Sequence, residues 1–214
     1  TMDNYIQQLN ADLEKAYQLM QTLAGGKPVY EDILSLYIIY KAHQHTNTLI
    51  DYAQHVIDEG NDLDGLLADA EKLKALATDC QKLYVSHQSA LDALDNDALF
   101  DAKLKPFKDA ENSEIAIATP LWRKSQELSN RMDFLPFDCE EYKEKEQEYE
   151  KVKADYDFHH AKVGELHDAW YAEFQRCIVA MRFRVEDFHL VLHYMLQISQ
   201  SIIDTVNAKK GDKS

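Results

Sequence analysis

Glycine and proline are scarce in this 214-residue chain, 6 and 4 respectively. That scarcity excludes a turn-rich β-sandwich and a glycine-rich nucleotide-binding fold. Cysteine is sparse too. Cys80, Cys139 and Cys177 lie far apart, are odd in number and form no CxxC pair. They exclude a disulfide framework and point to a reducing, cytoplasmic compartment. No apolar run reaches transmembrane length, and the opening "TMDNYIQQLN" lacks the character of a signal peptide. Positive charge is in deficit, with 23 Lys and Arg against 38 Asp and Glu and a formal net charge of -15. Wrapping nucleic acid needs clustered cations, so no nucleic-acid partner is expected. Tight binding to anionic lipid through net charge alone is disfavoured on the same ground. Catalytic signatures are missing as well: there is no G-x-S-x-G, Walker loop, dinucleotide-binding glycine pattern or zinc-ligand pairing. The expectation is a protein that is not an enzyme, with no catalytic residue, cofactor or metal.

What is present is heptad-like apolar spacing. Ile6, Leu9, Leu13, Ala16, Met20 and Leu23 alternate steps of three and four. "AGGKP" at 24–28 interrupts the pattern. A helix resumes beyond it, with Glu31 and Asp32 suited to its first turn, and stops at "DEGND", where Gly60 suits a C-terminal cap. A second run follows the seam Leu63, Leu66, Ala70, Leu73, Ala77, Cys80, Tyr84, His87, Leu91 and Leu94. The pattern then loses regularity, and Pro106 and Pro120 are expected to kink or break the helix. "DFLPFD" at 133–138 reads as a turn, with Asp138 as an N-cap. From Cys139 to about Asn207 there is no proline and a single glycine, Gly164. Tyr142, Tyr149, Val152, Tyr156, Val163, Leu166 and Trp170 form its seam. A stutter of four leads to Phe174, and the seam continues through Ile178, Met181, Val185, Phe188, Leu192, Met195, Ser199, Ile202 and Val206. Such a helix would span about 100 Å.

The expected fold is therefore all-α: an elongated antiparallel three-helix coiled-coil bundle forming one domain over 1–214, with long segments at about 3–59, 62–132 and 138–208. The alternative is a compact four- or five-helix bundle. Val185, Phe188, Leu192, Met195 and Ile202 are the expected dimer or core seam of the last segment.

Candidate chemistry is thin. Glu186, His189 and His193 share a helical stripe, and histidines at i and i+4 can share a metal. Such a site needs ligands from another helix. The only other variant, "DFHH" at 157–160, lies on the same predicted helix about seven turns away, so Glu186, His189 and His193 are read as polar neighbours of the seam. His43, His45 and the "DFHH" pair are read as exposed helical polar residues. Cys80 and Cys177 fall on apolar stripes and are read as packed thiols. The one long positive window holds Lys103, Lys105, Lys108, Arg123, Lys124 and Arg131, and Lys209, Lys210 and Lys213 add a basic tail. Its functional reading is contact with phosphates, an anionic membrane surface or an acidic partner. Its plain reading is a solvated helix face.

Organised in this way, "RVEDFHLVLHYMLQISQSIIDTV" resembles the last helix of BAR domains, above all those of the sorting nexins. There a basic residue, then Asp-Phe, then an apolar series leads into the final turns; Arg184, Asp187, Phe188, Leu192, Tyr194 and Met195 carry the match. "YEKVKADYDFHHAKV" is similar to the Asp-Tyr-Asp stretch of BAR proteins, and "LFDAKLKPFKD" looks like their middle-helix segment. The likeness covers mainly residues 62–208. It implies a dimer of three-helix coiled coils, formed with itself or with a related helical chain. It further implies peripheral association with endosomal membranes, lipid binding and a role in membrane trafficking and protein transport. Two other readings remain: a bacterial all-α domain of the cell envelope or of a lipoprotein, and a metal-binding helical-bundle enzyme.

Overall fold

The computed structural model describes residues 3–45, 51, 55, 58–59 and 62–212. Among these residues the chain is all-helical with no strand. The helices are α1 (Asp3–Gly25), α2 (Tyr30–His43), α3 (Leu63–Ser86), α4 (Gln88–Asp92), α5 (Asn96–Met132), α6 (Glu140–Ile178) and α7 (Phe188–Gly211). A single 3-10 turn, Val185–Asp187, precedes α7. The expected cap Gly60 and the tail residue Lys213 lie outside the described residues. The chain divides into two compact units, Thr1–Leu99 with Ala180–Ser214, and Phe100–Val179.

In the first unit α3 lies between α1 and α7, and α2 packs on both α1 and α7. The α1 seam is buried along its length, from Ile6 to Leu23. It ends where the glycines begin: Gly26 N donates to Thr22 O at 3.0 Å. A Cβ on Gly26 would meet that same oxygen at 3.1 Å. Glu31 and Asp32 occupy the first turn of α2, and Asp32 accepts from the Val29 amide at 3.1 Å. At the start of α3, Asp62 adopts the left-handed conformation, φ 44°. Its carboxylate accepts from Gly65 N at 3.1 Å, an N-cap. Leu66, Leu73, Ala77 and Cys80 of α3 and Val185, Phe188, Leu192, Met195 and Ile202 from the last segment are all buried. That seam is filled within the chain.

The long helix expected over 138–208 is interrupted. It ends at Ile178, and helix restarts only at Phe188. No proline or glycine marks the break, so its cause is tertiary. Phe183 is buried with its ring 5.6 Å from Tyr37 and 5.1 Å from Tyr40. Its carbonyl accepts from the Asn96 side chain. The Arg184 amide then donates to Asp187 at 2.8 Å, which starts the next helix. Burying an aromatic ring and pairing its carbonyl outweigh a few lost helical bonds. The second expected segment, 62–132, also divides. His87 N bonds back to Leu83 O and Tyr84 O, and Asp95 accepts from Ala98 N at 3.0 Å.

Of the expected kinks or breaks at the prolines, the breaks do not occur. Pro106 and Pro120 both sit inside α5, and neither ends it. Each is exposed, as are Ala102 and Ala116 four residues earlier. The carbonyls left without a donor therefore face water, which satisfies them.

The second unit is a hairpin of α5 and α6. Its connection, 133–139, is turn as expected, closed by Leu135 N to Met132 O at 3.0 Å. The N-cap of α6 is Cys139 rather than Asp138: its sulfur accepts from Tyr142 N at 3.3 Å. Antiparallel pairing is fixed by Arg131–Glu141 at 2.9 Å, Lys124–Glu148 at 3.2 Å and Lys103–Glu173 at 3.5 Å. On α6 the less exposed positions run Val163, Leu166, Trp170, Glu173 and Cys177. Glu173 and Cys177 continue the heptad unshifted; of the expected shifted seam Phe174 is half-buried like Glu173, and Ile178 is exposed. Phe174 is drawn in instead from the flank, 5.7 Å from the Phe100 ring.

Candidate functional site: the hairpin of residues 100–179

Inward positions of α5 repeat at steps of three and four, and four of them are polar: Asn96, Glu111, Glu114 and Ser125 are buried. The two carboxylates are only 6% and 5% exposed, where a coiled coil normally places leucine. Each is held from both sides. His167 Nδ1 lies 3.1 Å and Lys108 Nζ 3.3 Å from Glu111. Glu114 pairs with His159 and, at 3.8 Å, with Lys162. Burial alone would raise the carboxyl of Glu111; the hydrogen bonds from His167 and Lys108 outweigh it and hold it below the usual range. A buried carboxylate without partners costs several kcal/mol, on the order of 3–5. This layer therefore permits one axial register between the helices.

Towards the root, Lys108 lies 4.8 Å from the centre of the Trp170 ring, and Trp170 stacks on Phe174 at 5.3 Å. Glu173 accepts from Arg176 at 2.7 Å, and chiefly for that reason its carboxyl is held low. Cys177 is buried and donates to Glu173 at 3.4 Å, so its thiol is pushed up. Cys80 is buried in the first unit with its thiol pushed up to about 12 by burial and by Asp79.

Five of the six cations proposed for membrane contact are engaged inside the hairpin. Lys103, Lys108, Lys124 and Arg131 pair across or along it as above, and Lys105 pairs with Asp109 at 2.5 Å. Arg123 makes no ion pair among the described residues. Lys210 of the basic tail pairs with Asp64.

The other expected chemistry is dispersed. The His189 ring lies 5.1 Å from Tyr84, and His193 meets Gln197 at 3.1 Å. Tyr84 donates to Asp92 at 2.8 Å, and its hydroxyl is pushed up to about 12, first by burial and then by that bond. No cluster of three or more His, Cys, Asp or Glu arranged to hold a metal occurs among the described residues. Two histidine readings need correction. His43 is buried, not exposed, and meets Asp12 at 2.8 Å because it closes the α1–α2 packing. His159 of "DFHH" is drawn into the hairpin seam by Glu114. His160 stays exposed beside Tyr156.

Apolar surface is distributed in opposite ways in the two units. Of 35 buried apolar residues among those described, the hairpin holds six: Phe100, Leu104, Ala118, Leu128, Val152 and Cys177. Of 13 exposed large apolar residues it holds nine. Phe134 and Phe137 at its turn are 88% and 75% exposed, and Ile115, Ile117, Trp122, Phe158 and Tyr171 lie along its sides. Sequence reasoning missed both the Glu–His layer and this exposed set. The available signal was a stripe restarted at Phe100, Leu104 and Phe107, which lands on Glu111 and Glu114; the seam that ends at Leu94 does not.

No helix among the described residues is long and apolar enough to cross a membrane. No family model, curated protein or solved structure matches the chain.

Proposed function

We propose that this chain is a non-catalytic dimerisation module, a helical scaffold of the kind the BAR-type resemblance implies. The carrying observation is the apolar distribution of residues 100–179, which hold nine exposed large apolar residues against six buried ones. Apolar surface that a helical pair cannot cover by itself favours association with another chain. In this reading the first unit, with its filled seams, serves as the stable body and the hairpin as the contact element. The cation window is occupied mainly by internal ion pairs, so membrane recruitment in trafficking is assigned to a neighbouring component rather than to Lys103–Arg131. The test is the mass of the full chain by sedimentation equilibrium from about 1 to about 100 μM, a range that detects dissociation constants up to the micromolar class. A dimer is expected. A monomer throughout that range would sink the proposal.

A further inference from the structure

Gly164 lies in the middle of α6, far from either end. A glycine inside a helix costs roughly 0.5–1 kcal/mol relative to alanine. Among the described residues there is no steric reason for it: a Cβ built on Gly164 meets nothing within 4 Å. Glycine in a helix interior also permits another helix to approach closely, and nothing among the described residues approaches within 4 Å of that Cβ position.

The flank that carries Gly164 is the apolar one. Lys124–Glu148, Arg131–Glu141 and Lys162–Glu114 mark one side of the hairpin; Lys108–Trp170 and His167–Glu111 mark the other. Ile115 and Trp122 follow Lys108 at heptad intervals, and Gly164 and Tyr171 sit one turn either side of His167. All four therefore belong to the second side. Trp122 is 49% exposed, and Arg123 beside it has no ion pair among the described residues. Trp and Arg are the residue types that dominate interface energetics.

Charge selects the occupant. Over 100–132, α5 carries six basic and five acidic residues, a net +1; over 140–178, α6 carries six basic and eleven acidic, a net -5. Laying α6 against another α6 opposes two acidic helices, whereas laying α5 against α6 does not.

We propose that the flank bearing Ile115, Trp122 and Gly164 docks a second copy of this chain, with α5 of each hairpin laid over α6 of the other. The arrangement is two-fold and closed. Its axis runs along the hairpins, so both turns point the same way. The pairing Glu111–His167, on this flank, sets Ile115 level with Val163, next to Gly164, and Lys124–Glu148 sets Arg123 level with Tyr149, next to Glu150. Without axial shift, Ile115 of one copy enters the gap over Gly164 of the other, and Arg123 meets Glu150. This inference rests on the dimerisation reading and names its surface.

The test uses the full chain. Gly164→Leu fills the gap with a good helix former, so helix content by circular dichroism should hold while the dimer dissociation constant rises at least about tenfold. Gly164→Ala should raise the thermal midpoint of the dissociated chain, as relief of a helical glycine does, yet still weaken the dimer. Spin labels on Cys139, the one cysteine that is not buried, should lie within about 20 Å of each other, two helix layers apart. In a head-to-tail dimer they would stand about 50 Å apart, the length of the α5 portion of the hairpin. That larger separation, or a dimer unchanged in Gly164→Leu, overturns the proposed surface while leaving dimerisation standing. A monomer at every concentration overturns both.

Discussion

Phe188→Ala tests the packing of the first unit most directly. Phe188 is 0% exposed, and Leu190, two residues further on the same helix, is 46% exposed. A helix turns by about 200° over two residues, so the two side chains point to nearly opposite faces. Deleting a buried phenylalanine removes its transfer free energy and leaves a cavity, about 3–5 kcal/mol together. Leu190→Ala should stay within about 0.5 kcal/mol, as surface substitutions do. In urea, with a slope of about 2 kcal/mol per molar, the first change lowers the midpoint by about 2 M and the second by about 0.3 M or less. The assay is urea unfolding followed by far-UV circular dichroism. Trp122 and Trp170, the only tryptophans, both lie in the hairpin, so their emission reports the second unit in the same titration. Equal effects of the two substitutions, or a larger effect of Leu190→Ala, would show that α7 is rotated and that the core assigned to it is wrong.

Asp62→Ala removes the N-cap of α3 and leaves an alanine in the left-handed region, and should cost about 1–2 kcal/mol by urea midpoint. Asp62→Asn, which tolerates that conformation and still caps, should recover most of it. A thiol reagent at neutral pH should modify one cysteine per native chain, Cys139, because Cys80 and Cys177 are buried with their thiols pushed up. Rapid modification of two or three thiols without denaturant would contradict that burial.

Much of the helical content was legible because the apolar period is local. The seams Ile6–Leu23, Leu66–Tyr84 and Phe188–Val206 are buried at the expected positions, and "AGGKP" and "DFLPFD" interrupt helix where they should. The break at 179–184 was not legible. It goes with contacts between residues 87 apart, Asn96 with Phe183, and 146 and 143 apart, Tyr37 and Tyr40 with Phe183. A period cannot register such contacts. The prolines do not break α5, and the reason is local. The rule against proline in a helix assumes that the orphaned carbonyl is a liability, and on an exposed face it is not.

The same limit explains the site. Heptad spacing tells which residues share a stripe, but not what lies opposite. Phe188 and Trp122 both fall on apolar stripes, and one is sealed against α3 while the other is half open to solvent. Glu111 and Glu114 broke the stripe of α5, so the stretch read as irregular. Facing His159 and His167 they complete it in polar form, and the helix stays regular through both. A polar layer of this kind is poor as a source of stability and good as a source of register, since any axial slip leaves two carboxylates buried without partners. Register is what a docking flank requires: Ile115, Trp122 and Gly164 come from two different helices, and they share one surface only while the Glu–His layer holds α5 and α6 in their present alignment.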